Sequence, residues 1–454
     1  MDPLIALCTV LTDWRLPPGL LAACVLLLGT FFLGRYFCGY ICPIGVLIDG
    51  VDVLTRSIRK RMPIRIPPAL RGTKFFLMAV ILVCALFGSV QFLWLDPLSM
   101  ATRFATQFAY TPVAARLAAE SAEEMPVIRY DAVTFALLVV LLLPTVIQSR
   151  FWCRNLCPLG ALLAVVGRRG RLPWVTDECV RCSRCVETCA MGAIDAESIR
   201  VSNAECHQCM RCSVVCPVEA VDWATGIQPV QVRAADSNDT WSRRRFMRTI
   251  TSAAAVAAAT HLPVHASLRM GRGETLLRPP GVSDESIFLK RCVRCGECMK
   301  VCPIRALQPV RSENGLAGIG SPHFRMRDAG CHPECNGCGL VCPTRAIPPL
   351  PLRRKNRACI GLAEVDHETC LLSSGRMCNI CRNVCVQTGH VAIRLKPSEG
   401  FLRVEVNKDR CVGCGWCEFA CPINGGGREG EERGPAAIKT VARTDGVTRH
   451  REQW

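Results

Sequence analysis

Cysteines in groups of four are the chemistry this sequence offers first. Cys179, Cys182, Cys185 and Cys189 read C-x2-C-x2-C-x3-C, and Cys206, Cys209, Cys212 and Cys216-Pro217 repeat the phrase. It returns at Cys292, Cys295, Cys298, Cys302-Pro303 and at Cys411, Cys414, Cys417, Cys421-Pro422. Looser versions lie between, at Cys331, Cys335, Cys338, Cys342-Pro343 and at Cys370, Cys378, Cys381, Cys385. Such runs suit an iron–sulfur cube: three neighbouring thiolates reach three irons, and the fourth ligand comes from a partner motif. Six motifs predict six [4Fe-4S] clusters and leave few of the 32 cysteines over. For the first pair, Cys179, Cys182 and Cys185 are expected to join Cys216, and Cys206, Cys209 and Cys212 to join Cys189. For the later four motifs, adjacent and nested pairing are both open. Zinc also binds CxxC pairs, but six runs of three close cysteines plus a fourth argue against it.

A second cysteine pattern stands apart. Cys38 and Cys42-Pro43, like Cys153 and Cys157-Pro158, are spaced C-x3-C-P, which on a helix puts both thiols on one face. The two copies belong to an internal repeat, each led by Asp-Pro-Leu, at Asp2-Pro3-Leu4 and Asp96-Pro97-Leu98. A thiol–disulfide switch, a metal site, part of a quinol–cluster contact and simple packing are all compatible with these four residues. Cys8, Cys24 and Cys84 sit in apolar runs and read as packing residues, and Cys359 has no assigned role. His207 and His332 read as ordinary surface or loop histidines.

The elements that must position these groups follow from hydropathy and charge. Phe75 to Leu95 is 21 residues without a charge, about 31 Å as a helix against a hydrocarbon core of about 30 Å. Gly19 to Gly34 and Val133 to Ile147 are shorter apolar stretches. Leu54 to Lys74 holds seven basic residues and no acidic one, which marks a cytoplasmic loop. The expected fold class is therefore an α-helical transmembrane bundle plus small α+β dicluster ferredoxin-like domains. The second repeat copy has a helix before its Asp-Pro-Leu and the first has none, so a first helix is expected to be missing ahead of residue 1.

Four regions are predicted. Residues 1–160 form the transmembrane region and 161–222 a cytoplasmic dicluster domain. Residues 223–266 form a linker with an internal export signal, and 267–454 a periplasmic four-cluster domain. The signal is the twin-arginine stretch Ser242-Arg243-Arg244-Arg245-Phe246-Met247-Arg248, followed by an alanine-rich run and a small-residue cleavage site at Ala266.

Composition closes off other classes. Half the residues are hydrophobic, which excludes a disordered chain. A formal net charge of +17 invites a nucleic-acid reading, but much of it lies in the basic loops beside apolar stretches, so no nucleic-acid partner is expected. No haem, zinc-protease or dinucleotide motif is present, and no nucleophile or acid–base pair stands out.

Taken together, these motifs resemble two ferredoxin-type families that usually occur as separate chains. The part to about residue 222 resembles the NapH/MauN family. The rest resembles the NapG/MauM family, with Leu277-Arg278-Pro279-Pro280-Gly281 before Cys292 and Gly361-Leu362-Ala363 before Cys370 as family-like lead-ins. The resemblance implies a natural fusion at the bacterial inner membrane, carrying electrons from the membrane quinol pool to a periplasmic oxidoreductase or cytochrome. It implies an electron carrier or quinol dehydrogenase component rather than a substrate-converting enzyme, with quinol and membrane lipid as partners. The alternative is a maturation or assembly factor that keeps a periplasmic redox enzyme active. A redox sensor is weaker, since no DNA-binding motif accompanies the clusters.

Overall fold

The computed structural model describes residues 2–13, 16–17, 19–61, 68–110, 132–169, 173–202, 204–222, 247–256, 258, 276–311, 318–398, 401–424 and 436–442. They belong to two compact units, one of residues 1–101 with 134–263, the other of 102–133 with 264–454. The residues Ser242 to Phe246 of the twin-arginine stretch, and Ala266, lie outside the described residues.

The first unit opens with α1 (Pro3–Asp13), α2 (Leu20–Leu33), the short α3 (Tyr36–Tyr40), α4 (Pro43–Arg61), α5 (Thr73–Leu86) and the start of α6 (Pro97–Phe104), whose residues from Thr102 on belong to the second unit. After the excursion into the second unit come α7 (Ala132–Leu142), the short α8 (Phe151–Asn155) and α9 (Pro158–Val166). α5 packs against α1 and α9, burying Leu4, Val80, Ile81, Cys84, Leu159 and Leu163. The repeated Asp-Pro-Leu is a helix start. Asp2 Oδ1 accepts from the amides of Leu4 (2.6 Å) and Ile5 (3.2 Å), and Asp96 Oδ2 from those of Leu98 (3.0 Å) and Ser99 (3.2 Å). Each is an N-cap followed by proline at the first helical position.

The expected transmembrane bundle is not what the apolar stretches form: among the described residues, no helix is long and apolar enough to cross a membrane. Phe75 to Leu95 breaks after α5, which at 14 residues is about 21 Å long. Gly88 turns the chain at φ 78°, and Gln91–Leu95 continues as a 3-10 turn. Gly34, at φ 72°, stops α2 after 14 residues. Pro144 follows the 11-residue α7 and lies in a 3-10 turn, Leu143–Val146. A glycine in a conformation other residues avoid, or a proline without an amide hydrogen, ends a helix whatever the hydropathy of its neighbours. The 19-residue α4 is long, but Asp49, Asp52, Arg56 and Arg59 lie along it.

The rest of the first unit is a small α+β module: β1 (Trp174–Val175), α10 (Arg184–Thr188), α11 (Arg211–Val215) and β2 (Val221–Asp222), with β1 antiparallel to β2. The second unit holds two such modules. One contains α12 (Glu285–Arg291), α13 (Glu297–Lys300), β3 (Leu307–Pro309), β4 (Pro322–Phe324) and α14 (Gly337–Leu340), with β3 and β4 antiparallel. The other contains β5 (Leu362–Val365), α15 (Ile380–Gln387), β6 (Ile393–Ser398), β7 (Phe401–Val406), α16 (Trp416–Phe419) and β8 (Ile438–Val441). There β5 pairs with β8 and β6 with β7, both antiparallel. Each module of the second unit has its own small core with cysteines among its members.

Candidate iron–sulfur centres

Every cysteine of the six motifs is a free thiol, and the fold gathers them in fours. Cys179, Cys182, Cys185 and Cys216 line one cavity of about 360 Å³ (site I). Cys189, Cys206, Cys209 and Cys212 line another of about 370 Å³ (site II). In the second unit Cys342 is an electrostatic neighbour of Cys292, Cys295 and Cys298 (site III). Cys302 stands in the same relation to Cys331, Cys335 and Cys338 (site IV). Cys370, Cys378, Cys381 and Cys421 line a cavity of about 410 Å³ (site V), and Cys385, Cys411, Cys414 and Cys417 one of about 340 Å³ (site VI). These four cavities are of similar size, and each is lined by four cysteines. Each motif gives its fourth cysteine to its partner, and the later motifs pair with their neighbours, so the nested arrangement is not adopted.

The backbone explains how such short runs turn their thiols inward. In the four regular motifs the second residue after the first cysteine and the residue after the second cysteine are left-handed. These are Arg181 and Ser183 (φ 52° and 58°), Gln208 and Met210 (58° each), Arg294 and Gly296 (54° and 85°), and Gly413 and Gly415 (68° and 80°). Five of these eight residues are not glycine, and non-glycine residues held in this region carry strain. The alternation folds successive amides into a concave nest of the kind that cradles anionic groups, Fe–S clusters included.

Amides also reach the sulfurs from the Ala-Ile tails that follow the motifs. Ala193 N donates to Cys189 Sγ (3.2 Å), Ile347 N to Cys342 Sγ (3.5 Å) and Ala392 N to Cys385 Sγ (3.2 Å). Four thiols, a nest of amides and N–H···S bonds fit a [4Fe-4S] cluster. Such a cluster supplies one-electron redox chemistry whose potential rises with hydrogen bonds to its sulfurs.

The C-x3-C-P residues form a second constellation in the first unit. Both pairs follow a buried arginine three residues upstream, Arg35 and Arg150, each 1 % exposed. Arg150 donates twice to Asp49 and, through Nη1, to the Cys38 carbonyl (2.9 Å). Arg35 Nη1 donates to the Ala204 carbonyl (2.7 Å) and lies 3.6 Å from Glu205, which also accepts from Lys74 Nζ (2.6 Å). Burial and the positive Arg35 lower the Lys74 pKa to about 8, with Glu205 opposing. Arg35 Nε and Nη2 are buried without a hydrogen-bond partner. A Cβ on Gly160 would lie 3.0 Å from Arg35 Nη2 and 3.3 Å from Cys157 Sγ, so the missing side chain is what lets the guanidinium and thiol approach. Cys42, Cys153 and Cys157 are buried and Cys38 is half-buried. Among the described residues no group of three or more His, Cys, Asp or Glu could hold a single metal ion.

Other residues fall into place around these sites. His207 is a buried residue rather than a surface one. Its carbonyl is 2.6 Å from where a Gly39 Cβ would stand, and burial lowers its ring pKa to about 3. His332 is a half-buried loop residue whose Nδ1 accepts from the Glu334 amide (3.2 Å). Cys8 and Cys84 are buried, as packing residues should be, whereas Cys24 and Cys359 are exposed. Arg35 and Arg150 are the residues that motif reading passed over, although each stands at the same offset before its C-x3-C-P pair.

Two families described as 4Fe-4S binding domains match the chain. Fer4_5 matches residues 16–61 and 130–174, and Fer4 matches residues 286–308 and 404–424. The first covers the C-x3-C-P pairs, the second the motifs beginning at Cys292 and Cys411. Sites and families together define a ferredoxin-type iron–sulfur protein of electron transport. The ferredoxin-type protein MauM of methylamine utilization from Methylobacillus flagellatus is 39% identical over 190 residues, 40% of this chain and 80% of the relative. The ferredoxin-type protein NapG of Escherichia coli is 35% identical over 195 residues, 40% of this chain and 81% of the relative. The chain belongs to this NapG/MauM family. It is also similar to MauN of Methylobacillus flagellatus, 27% identical over 193 residues and 60% of that protein. No solved structure matches the chain.

Proposed function

We propose that the protein carries electrons from membrane quinol, one at a time, through six [4Fe-4S] clusters to a periplasmic oxidoreductase. The carrying observation is the exchange of the fourth cysteine within each pair of motifs, which supplies four thiols to every one of sites I to VI. The acceptor we propose belongs to a methylamine-utilization system, on the name of MauM, or to a nitrate reductase system, on the NapG resemblance. Similarity to MauN supports the reading of a fused MauN-like and MauM-like chain.

Support for the donor comes from the first unit. Leu21, Val25, Leu28 and Phe32 on α2 and Val53 and Leu54 on α4 are exposed apolar side chains, a surface that suits a lipid face or a quinol tail. The proposed location is the bacterial inner membrane, with the C-terminal unit in the periplasm, as the twin-arginine stretch suggests.

The C-x3-C-P thiols are proposed as a further redox group of this unit. Buried cationic N–H donors of Arg35 without partners beside Cys157 suit an anionic occupant, such as a thiolate or a centre held by these thiols.

The test uses the anaerobically purified full chain mixed with a reduced quinol analogue in lipid vesicles and followed by low-temperature EPR. Cluster signals should grow and then decay when a periplasmic acceptor is added. Fully loaded clusters that quinol leaves oxidised would overturn the relay.

A further inference from the structure

Within the second unit the two dicluster modules touch at their cysteine loops. The amide of Cys331, a residue of site IV, donates to the carbonyl of Cys414, a residue of site VI, at 2.6 Å. Trp416, which opens α16 two residues later, returns the contact: its indole Nε1 donates to the Cys331 carbonyl at 3.0 Å. The ring needs room that only glycine leaves, since a Cβ on Gly330 would lie 2.6 Å from Trp416 Cγ. Gly415 is likewise pressed on Met326, whose Sδ leaves no room for a Cβ there. Arg327 and Glu418 add an ion pair at 3.9 Å across the same junction.

The two remaining sites differ from these. Site III is buried, with Cys292, Val293, Cys298 and Met299 all under a tenth exposed. Arg103 Nε donates to the Arg294 carbonyl in its cysteine loop (2.8 Å), and Thr106 stands 3.6 Å from where a Gly296 Cβ would be. Site V lies at the surface, where Arg376, Ile380 and Arg382 are exposed and Met377 is 93 % exposed.

We propose that the four sites of this unit form a single conduit in the order III–IV–VI–V. Its internal junction is the Cys331–Cys414 contact, and Trp416 is the positioning residue that holds it. The order differs from the sequence: the path enters the last module at its final motif and leaves by its first. Clusters held by the Cys331 and Cys414 loops would exchange a single electron there, the donor oxidised as the acceptor is reduced, with no proton or ligand moving. Two backbone hydrogen-bonded cysteine loops give this step a short covalent and hydrogen-bonded route. The inference rests on the reading that these sites hold clusters.

The experiment is EPR on the fully reduced full-length protein, with iron and acid-labile sulfide measured on the same sample. The expected spectrum shows magnetic interaction within III–IV, within V–VI and also between IV and VI. In Trp416→Leu the IV–VI interaction is lost while iron content and the two within-module interactions persist, and Trp416→Phe, which keeps a ring against Gly330, retains most of it. A wild-type spectrum that resolves into two magnetically independent pairs, with iron and sulfide at full content, overturns the order and leaves the cluster reading intact. Absent iron and sulfide would overturn the cluster reading itself, and the order with it.

Discussion

Arg150 and Asp49 are joined by two hydrogen bonds, Nε to Oδ1 at 2.7 Å and Nη2 to Oδ2 at 2.6 Å. The third arm of the same guanidinium holds the carbonyl of Cys38, so the arginine of one repeat copy fastens the cysteine turn of the other. Burial pushes the Asp49 pKa up, but the Arg150 bonds and charge outweigh it and the net direction is down.

Asp49→Asn keeps the shape and removes the charge, leaving a buried guanidinium with weaker partners. We expect a loss of about 1–3 kcal/mol in unfolding free energy, the range for a partly buried charged hydrogen bond. Arg150→Met, which removes all three bonds but also the buried charge, should cost no more than about 3 kcal/mol. Chemical denaturation of the cluster-loaded protein checks both, and an unchanged midpoint in Asp49→Asn would show the pair to be dispensable.

Asp2 and Asp96 meet inside the first unit, where Asp2 Oδ2 and Asp96 Oδ1 are buried without a donor, an arrangement that one shared proton would satisfy. Burial raises both pKa values, and the neighbouring Asp2 charge raises that of Asp96 further. A folded-state pKa above the unfolded one gives stability that is complete below the ordinary carboxylate range and is lost as pH rises through the folded value. Asp96→Asn supplies a permanent N–H donor and can still cap α6. It should flatten this pH dependence and raise stability at neutral pH relative to wild type, as read from thermal unfolding across pH 4 to 8. A variant less stable than wild type at neutral pH would show that the carboxyl pair does not share a proton.

Exchange of the fourth ligand predicts which cluster each cysteine controls. Cys189→Ser should impair site II and spare site I, although Cys189 belongs to the motif that builds site I. Iron analysis with EPR of the two signals decides, and loss of the site I signal alone would contradict the pairing.

At site V, Arg376→Glu with Arg382→Glu should slow electron delivery to an acidic acceptor by about tenfold at low salt, with the difference shrinking as ionic strength rises. Stopped-flow oxidation of the reduced protein measures this. Equal rates at low salt would show that electrons do not leave by the exposed site V.

The cysteine sites were legible because their determinants are local: the spacing alone turns three thiols to one side, and the first pair's exchange followed from the motif. Pairing among the later four was not legible, because the contact of Cys342 with Cys292 or of Cys421 with Cys370 is made by the fold. The apolar stretches misled because hydropathy registers Phe75 to Leu95 as one run, while Gly88 divides it by backbone conformation. Gly34 and Pro144 do the same elsewhere. Burial of His207 depends on the close approach of Gly39, which the sequence places 168 positions away.

The most direct test of the account is iron, acid-labile sulfide and zinc determined together on full-length protein purified without oxygen. Six cubanes predict about 24 irons and about as many sulfides per chain, with zinc negligible. Protein holding zinc in place of iron, or with its motif cysteines joined as disulfides, would contradict it.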